Sequence, residues 1–392
     1  MKQVIIEQVK IEKLVPGGQA LGELSDGRKV FVWGALSNET VKVQLTKSKK
    51  HYAEAVTTEI LTATPERIAP RDECYLSTSP WQIMTETAET KYKSELVTEA
   101  FRQEHIELPY AEIKGDGKFW QYRNKMEYSL WWDHDTARIW PAFHRRGSHQ
   151  KILVKSSSIE RPEIWAEAQR IIDQLNADGE EARKYQSLLI RCNQAGQVSG
   201  ALFENGKSHP TMANLTDTIL GEAYTYSPNG FFQINLPVYE MALNEIKQHL
   251  DDSNRVVDMY SGVGTIGLSV ARDRQLTLVE TDNSAFRELQ NNVPSNRTDI
   301  RTIHAKSEEA LDYITSDACI IVDPPRAGLD GKVVGRILET QPKCVIYLSC
   351  NPATQARDVA LLSAKYRISH AQPFNFFPRT PHIENLIVLR LK

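Results

Sequence analysis

Cysteine is scarce in this sequence of 392 residues. The cysteines are Cys74, Cys192, Cys319, Cys344 and Cys350, and no two of them form a CxxC pair. An odd and scattered set argues against a disulfide framework and against a structural zinc site. The sequence therefore predicts no metal site.

Long apolar runs are also missing. No stretch approaches the ~18 apolar residues that a membrane-spanning helix requires. The N-terminal residues MKQVIIEQVK lack the apolar core of a signal peptide. The expected location is cytoplasmic, without a membrane partner.

The chain has no excess of positive charge, because 47 Lys and Arg stand against 50 Asp and Glu. A polyanionic partner would therefore have to bind to local basic patches. One such patch is 118–155, where eight basic residues stand against three acidic ones. A solvated surface would have the same composition, so charge alone leaves both interpretations open.

The remaining composition is that of a folded protein, with 41% hydrophobic and 25% charged residues. At about 100–200 residues per domain, this length predicts two or three domains. Residues 1–62 read as short strands, with a hairpin signal at Asp26-Gly27. They predict a small β-barrel with a basic turn that contains Lys49 and Lys50. Such a turn is typical of nucleic-acid-binding barrels, although a plain surface loop would look the same.

The second predicted domain, residues 63–225, is rich in strand-like alternation, which is clearest over 119–155 and 186–203. Helical spacing predicts a helix at about 91–110, which we expect to pack on the third domain.

The third predicted domain, residues 226–392, alternates apolar strands with helices. This pattern predicts an α/β fold with a largely parallel sheet.

A glycine-rich turn follows the first strand of this domain, in the segment from Asp258 to Gly267. Glycines allow a tight turn and close approach of a ligand, and Glu280 ends the next strand, where it suits ribose hydroxyls. The spacing fits a dinucleotide, S-adenosylmethionine or a plain tight turn. The aspartate before the turn and the Ser-Gly after it favour S-adenosylmethionine.

Three further motifs follow apolar strands or precede one. Asp323 opens Asp-Pro-Pro-Arg after a strand, at the sheet edge where α/β proteins bind ligands. Cys350 follows the next strand and is placed as a nucleophile, although a free cysteine is more often a buried apolar residue. Glu384 precedes the last apolar run, and beside an activated cysteine it becomes a candidate general base.

These motifs, in this order, resemble the RNA uracil-C5 methyltransferase family. The resemblance extends to the segment from Pro228 to Asn235, which is similar to a Phe-x-Gln-x-Asn element, and to Tyr122–Glu127, which is similar to an RNA-binding strand. The N-terminal barrel resembles a TRAM domain. The resemblance therefore implies a Rossmann-like S-adenosylmethionine-dependent methyltransferase domain, preceded by an OB-like TRAM barrel and a β-rich central domain.

The resemblance also implies a reaction and a set of site residues. Cys350 would attack carbon 6 of a uracil, carbon 5 would take the methyl group, and Glu384 would remove the carbon-5 proton. The implied cofactor-binding residues are Gln233, Asp258, Tyr260, Gly262, Gly264, Glu280 and Asp323. The implied RNA-binding residues are Lys49, Lys50, Arg123, Asn124, Lys125, Phe232, Arg326 and His382. The target uridine must lie in a loop or be flipped out of a duplex.

One departure concerns an iron–sulfur cluster that many TRAM-bearing relatives hold with four cysteines. Here the corresponding segments keep only Cys74, and they contain the serines Ser77, Ser79 and Ser157. One thiolate cannot hold such a cluster, so none is expected. We expect ordinary packing around Trp81, Trp120, Trp131 and Trp132 to order the central domain instead.

Rival interpretations are an RNA cytosine-C5 methyltransferase, a non-catalytic RNA-binding protein and a dehydrogenase. The cytosine enzymes carry a Thr-Cys or Pro-Cys arrangement, which is absent here. A non-catalytic scaffold would need neither Cys350 nor Glu384. A dehydrogenase would leave those same two residues unexplained. The TRAM-bearing layout favours ribosomal over transfer RNA as substrate, and a monomer is expected.

Overall fold

The computed structural model describes residues 5–148 and 150–392. The first four residues, which begin the first predicted strand, and residue 149 lie outside the described residues.

The N-terminal part is a closed β-barrel. Its strands are β1 (Ile6–Leu14), β2 (Ala20–Glu23), β3 (Lys29–Trp33), β4 (Thr40–Ser48) and β5 (Tyr52–Thr62). They close in the order β1-β2-β3-β5-β4. Alternate residues such as Val30, Val32, Val41 and Val43 are fully buried, as expected for strands with one face in a barrel core.

A helical segment follows, with the short α1 (Tyr75–Thr78) and the long α2 (Glu86–Gln103). Thr85 caps α2, since its side chain accepts a hydrogen bond from the Ala88 N–H. The helix buries Leu96, Val97 and Phe101.

The central part is a sheet with one covering helix. Its elements are β6 (Lys125–Asp133), β7 (Arg138–His144), β8 (Lys151–Leu153), α3 (Pro162–Ala177), β9 (Ser187–Cys192), β10 (Val198–Glu204) and β11 (Lys207–His209). The strand order is β11-β10-β9-β6-β7-β8. Trp131 and Trp132 are 45% and 39% exposed, so the expectation that they order this part from within is wrong. On β6, Trp131 lies on the face opposite buried Tyr128 and Leu130, whereas Trp132 lies on the same face as those two residues but is exposed near the end of the strand.

The C-terminal part is the α/β sheet. Its elements are β12 (Leu215–Ile219), β13 (Glu222–Tyr226), α4 (Leu236–Gln248), β14 (Arg255–Asp258), α5 (Thr265–Val270), β15 (Gln275–Glu280), α6 (Asn283–Asn292), β16 (Ile300–His304), β17 (Ala318–Val322), α7 (Gly331–Thr340), β18 (Cys344–Ser349), α8 (Pro352–Leu362), β19 (Tyr366–Phe374) and β20 (Glu384–Leu391). The sheet order is β16-β15-β14-β17-β18-β20-β19, with β20 antiparallel to both neighbours.

The β12–β13 hairpin packs into the core of the α/β part, where Tyr224 and Tyr226 join the same buried cluster as Leu243 of α4. The predicted division at 225/226 falls within β13. The helix α2 packs on α8, so the segment before the central sheet contacts the C-terminal sheet layer. No helix in the described ranges is both long and apolar enough to span a bilayer.

Candidate active site

Strand register brings three of the predicted residues to one edge of the sheet. Ser349 at the end of β18 pairs with Asn385 near the start of β20. Because these strands are antiparallel, Cys350 after β18 and Glu384 before Asn385 lie side by side at the same edge. Asp323 follows β17, which is parallel to β18 and pairs with it, so its carboxylate joins them.

The electrostatics of this cluster favour neutral groups. Burial, together with the neighbouring Glu384 and Asp323, raises the pKa of the Cys350 thiol to about 11, while Arg326 opposes this shift. Burial and the neighbouring Asp323 raise the pKa of Glu384 well above its usual range. Burial, with Asp258 nearby, raises the pKa of Asp323 to about 7. Few positively charged groups lie near Cys350, Glu384 and Asp323, so a cationic ligand would be electrostatically favoured there.

The loop after β17 is fixed from α8. Asn351 Nδ2 donates to the carbonyl of Arg326 at 2.9 Å, and Thr354 Oγ1 donates to the same carbonyl at 3.1 Å. The exposed Arg326 side chain lies 3.4 Å from Nδ1 of His382. Burial and Arg326 lower the pKa of His382 to about 4, so this imidazole is neutral at pH 7.

Cys350 faces a cleft of about 240 Å³ that several parts of the chain build together. Arg326 and His382 line it from the sheet edge, Leu96 lines it from α2, and Pro16 and Gly17 line it from the barrel. The contribution of the barrel was not predictable from the sequence. The barrel loop is seated there because Trp81 Nε1 donates to the Gly18 carbonyl, and any Cβ at Gly18 would meet Pro381 at 2.5 Å.

The glycine turn after β14 forms a cradle. Gly264 has φ +92°, a conformation that favours glycine, and a Cβ there would also force the Leu289 side chain, at 2.6 Å, to shift. Gly262 has φ +56° with open space on its side-chain face. Glu280 accepts N–H bonds from Gly262 at 2.8 Å and from Asp282 at 2.6 Å.

The predicted role of Asp258 as a direct cofactor contact needs correction. This carboxylate is fully buried and accepts the Gly267 N–H at 3.0 Å, so it shapes the turn and the start of α5. By contrast, no hydrogen bond from any described residue reaches the carboxylates of Asp323 or Glu384. An acidic, unpartnered edge beside an open glycine turn fits S-adenosylmethionine, a cation with ribose hydroxyls.

The loop that carries Gln233 is held by the central sheet. Asn124 Nδ2 donates to the Gln233 carbonyl at 3.2 Å, and Lys125 Nζ donates to the Asn229 carbonyl at 3.1 Å. The fully buried Arg191 donates to the carbonyls of Phe232 and Gln233 at 2.6 and 3.2 Å. This role of Arg191 was not predicted, although a lone charge within the apolar strand β9 is a visible signal.

Two predicted RNA contacts are therefore misplaced. Asn124 is 5% exposed and Phe232 is 4% exposed, with its ring stacked on Tyr226 at 3.8 Å. The neighbouring Phe231 is 75% exposed. The Phe-x-Gln spacing had already pointed to Phe231, which stands two residues before Gln233.

The other predicted residues lie further from Cys350 or in different surroundings. Tyr260 lines a separate cavity of about 480 Å³, together with Gly328 and Asp330. Lys49 and Lys50 are exposed at the turn between β4 and β5. Arg123 is half-buried, and its Nε donates to the Lys125 carbonyl at 2.9 Å.

A polar network joins the segment around Cys74 to the segment around Ser157, the two segments for which the sequence predicts no cluster. Asp72 accepts hydrogen bonds from Gln82 Nε2 and from Ser158 Oγ, each at 2.7 Å, and Gln82 also donates to Ser79 Oγ at 2.7 Å. Cys74 is buried nearby, and burial raises the pKa of its thiol to about 12. These bonds connect the two segments directly, and the absence of a cluster stays a prediction.

Comparisons with known proteins agree with this geometry. Residues 311–392 match the family described as tRNA (Uracil-5-)-methyltransferase, residues 5–58 match the TRAM domain, and residues 240–345 match the methyltransferase small domain. An uncharacterized RNA methyltransferase of Enterococcus faecalis is 26% identical over 99% of this chain and 98% of its own length. One from Staphylococcus aureus is 28% identical over 93% of each protein.

The fold matches that of the Pyrococcus abyssi tRNA (uracil-54, C5)-methyltransferase in complex with S-adenosyl-L-homocysteine. The TM-score is 0.79 at 20% identity, covering 97% of this chain and 100% of the other. The predicted fold class, with its TRAM barrel and methyltransferase sheet, is confirmed. The chain is an S-adenosylmethionine-dependent RNA methyltransferase of the uracil-5 type.

Proposed function

We propose that this enzyme methylates carbon 5 of a uridine in structured RNA through a covalent bond between Cys350 and carbon 6. The observation that carries the proposal is the meeting of Cys350, Glu384 and Asp323 at one sheet edge, beside the glycine cradle. Cys350 and Glu384 lie side by side at this edge, which suits attack by a thiolate followed by proton removal by a carboxylate. Because the pKa values of both groups are raised, each group must lose its proton before it acts.

The chain's own residues would act in sequence. The Cys350 thiolate forms a bond to carbon 6, and the electrons of the 5,6 double bond move to the carbon-4 oxygen. Bound S-adenosylmethionine supplies the methyl group to carbon 5 as an electrophile. The Glu384 carboxylate then takes the carbon-5 proton, the bond to Cys350 breaks, and the thiolate is restored.

The proposed ligand contacts come from groups at the sheet edge, at the glycine turn and in the Gln233 loop. Asp323, Gln233 and Glu280, with the Gly262 backbone, would hold the cofactor. The exposed Phe231 ring offers a stacking face for a base at the same loop as Gln233. Arg326 and His382 at the cleft would contact the RNA backbone or base, and Lys49, Lys50 and Arg123 would bind more distant phosphates.

The choice of RNA is part of the proposal. The sequence favours ribosomal RNA, whereas the solved structural relative is named for uracil 54 of transfer RNA. A cytoplasmic location and a monomeric state stay predictions, as do the domain limits 1–62, 63–225 and 226–392.

The test is to map 5-methyluridine by mass spectrometry in ribosomal and transfer RNA from a strain that lacks this gene. One uridine should lose its methyl group, and the wild-type gene should restore it while Cys350→Ala should not. Unchanged 5-methyluridine at every position, or full restoration by Cys350→Ala, would overturn the proposal.

A further inference from the structure

A cluster of two histidines and a glutamate lies at the end of the sheet opposite Cys350. Glu245 is in the last turn of α4, His249 follows that helix, and His370 is on the edge strand β19. The His249 carbonyl lies 3.8 Å from Sγ of Cys344, the first residue of β18, whereas Cys350 follows the last residue of that strand. The cluster is therefore separate from the active site.

The three side chains converge through one carboxylate oxygen. Oε1 of Glu245 lies 2.9 Å from Nε2 of His370 and 3.7 Å from Nε2 of His249. One possible ligand atom from each of the three side chains lies within 4.8 Å of the other two. The two imidazole rings face each other, with centroids 4.1 Å apart.

Local structure places each side chain. Glu245 and His249 are four residues apart, which puts them on one face of the helix end. The pairing of β19 with β20 shifts its register between Ile368 and His370, and such bulges re-aim a side chain. The bulge therefore turns His370 toward α4.

The surrounding charges leave one carboxylate oxygen free for a further ligand. Lys114 Nζ donates to Oε2 of Glu245 at 2.8 Å, so it occupies the other oxygen. Arg390 Nη2 donates to the His249 carbonyl at 2.7 Å, not to its ring. Nε2 of His370 is buried, and within the described residues it has no hydrogen-bond partner of acceptable geometry, despite its closeness to Glu245.

We propose that Glu245, His249 and His370 form a binding site for a divalent transition-metal ion, with zinc as the reference occupant. Two imidazole nitrogens and one carboxylate oxygen are a ligand set that zinc accepts, with bonds of about 2.0–2.2 Å and a fourth position for water. Those bond lengths imply about 3.3 Å between ligand atoms in a tetrahedron, and the observed 2.9 and 3.7 Å bracket that value. The ion would tie α4 to the edge strand of the sheet. The cysteine pattern could not predict this site, because its ligands are two histidines and a glutamate from distant segments of the chain.

The test uses the full-length protein after removal of metal with a chelator. Zinc is titrated in competition with a chromophoric chelator, and bound metal is counted by mass spectrometry after gel filtration. We expect one zinc per chain, and at least tenfold weaker binding in His249→Ala, His370→Ala and Glu245→Gln. His304→Ala is the matched control and should bind zinc like the wild type. The His304 imidazole is not part of the cluster, and it stacks on Phe286 with the ring centroids 4.6 Å apart.

Cobalt distinguishes this site from binding at a cysteine. The cobalt-loaded protein should show visible ligand-field bands without the near-ultraviolet absorption of a cobalt–thiolate bond. The proposal is overturned if the wild-type chain retains no zinc, if Glu245→Gln and both histidine variants bind zinc unchanged, or if thiolate absorption appears. If a histidine variant fails to fold, the zinc affinity of Glu245→Gln tests the proposal, because that substitution keeps the side-chain volume.

Discussion

Arg191 should control activity through the loop that carries Phe231 and Gln233, and Arg191→Met tests this. Its guanidinium donates to the carbonyls of Gly230, Phe232 and Gln233 from a fully buried position. It also lies over the Tyr226 ring, 4.8 Å from the centroid. Methionine would keep most of the packing and remove all three hydrogen bonds.

The cost to stability follows from which carbonyls keep another partner. Lys125 Nζ also donates to the Gly230 carbonyl, and Asn124 Nδ2 also donates to the Gln233 carbonyl. Only the Phe232 carbonyl would be left buried without a donor, which costs about 1–3 kcal/mol. The chain should therefore fold, while the loop loses its anchor at the residue between Phe231 and Gln233.

The effect on catalysis should exceed the effect on folding. Misplacement of a positioning group by about 1 Å can lower a rate about 100-fold. We expect the single-turnover methylation rate to fall by about that factor, with a much smaller change in the KM for RNA, because the distant basic residues still bind phosphates. Chemical denaturation and single-turnover assays measure the two effects separately.

Arg161→Met is the control, because Arg161 also donates to a carbonyl, that of Asn193 at 2.8 Å, but does not touch the Gln233 loop. It should lower stability without slowing methyl transfer. Equal losses of rate in both variants, or a wild-type rate in Arg191→Met, would refute the positioning role of Arg191.

Three further predictions concern the thiol groups. Because burial raises the pKa of the Cys350 thiol to about 11, the thiolate fraction should grow about tenfold per pH unit below that value. Single-turnover rates should therefore rise between about pH 6 and pH 9, and a flat pH profile would contradict this. Since Glu384 raises that pKa, Glu384→Gln should lower the midpoint of Cys350 alkylation by iodoacetamide, and an upward shift would count against their proximity. Protein purified without oxygen should show no iron–sulfide charge-transfer absorption, because Cys74 alone cannot hold a four-iron cluster; that absorption, or several irons per chain, would contradict this.

The chemistry of the site was predictable because its residues stand at strand ends. Asp323, Cys350 and Glu384 each adjoin an apolar run, and the ends of neighbouring strands meet at one edge of a sheet. The glycine turn was equally visible, and Gly264 has the positive φ that such a turn requires. Local pattern was enough here because the position along a strand fixes the position in space.

The supporting residues were not predictable, because they act across long sequence separations. Lys93 of α2 donates to Asn375 at 2.6 Å, and the buried Arg379 donates to Glu86 at 2.8 Å. These bonds fix the segment that leads to Glu384, yet the partners are nearly three hundred residues apart. Alternation also failed to show where burial along β6 ends, so Trp131 and Trp132 were expected to help order the central part although both are exposed.

The covalent bond between Cys350 and the target uridine is the step on which the proposed function depends most. Glu384→Gln should form this bond but be slow to release it, because the carbon-5 proton is not removed. Incubation of this variant with S-adenosylmethionine and substrate RNA, followed by nuclease and protease digestion and mass spectrometry, should give a methylated uridine attached to the peptide that contains Cys350. Unchanged turnover with no adduct, or an adduct on a different residue, would contradict the mechanism.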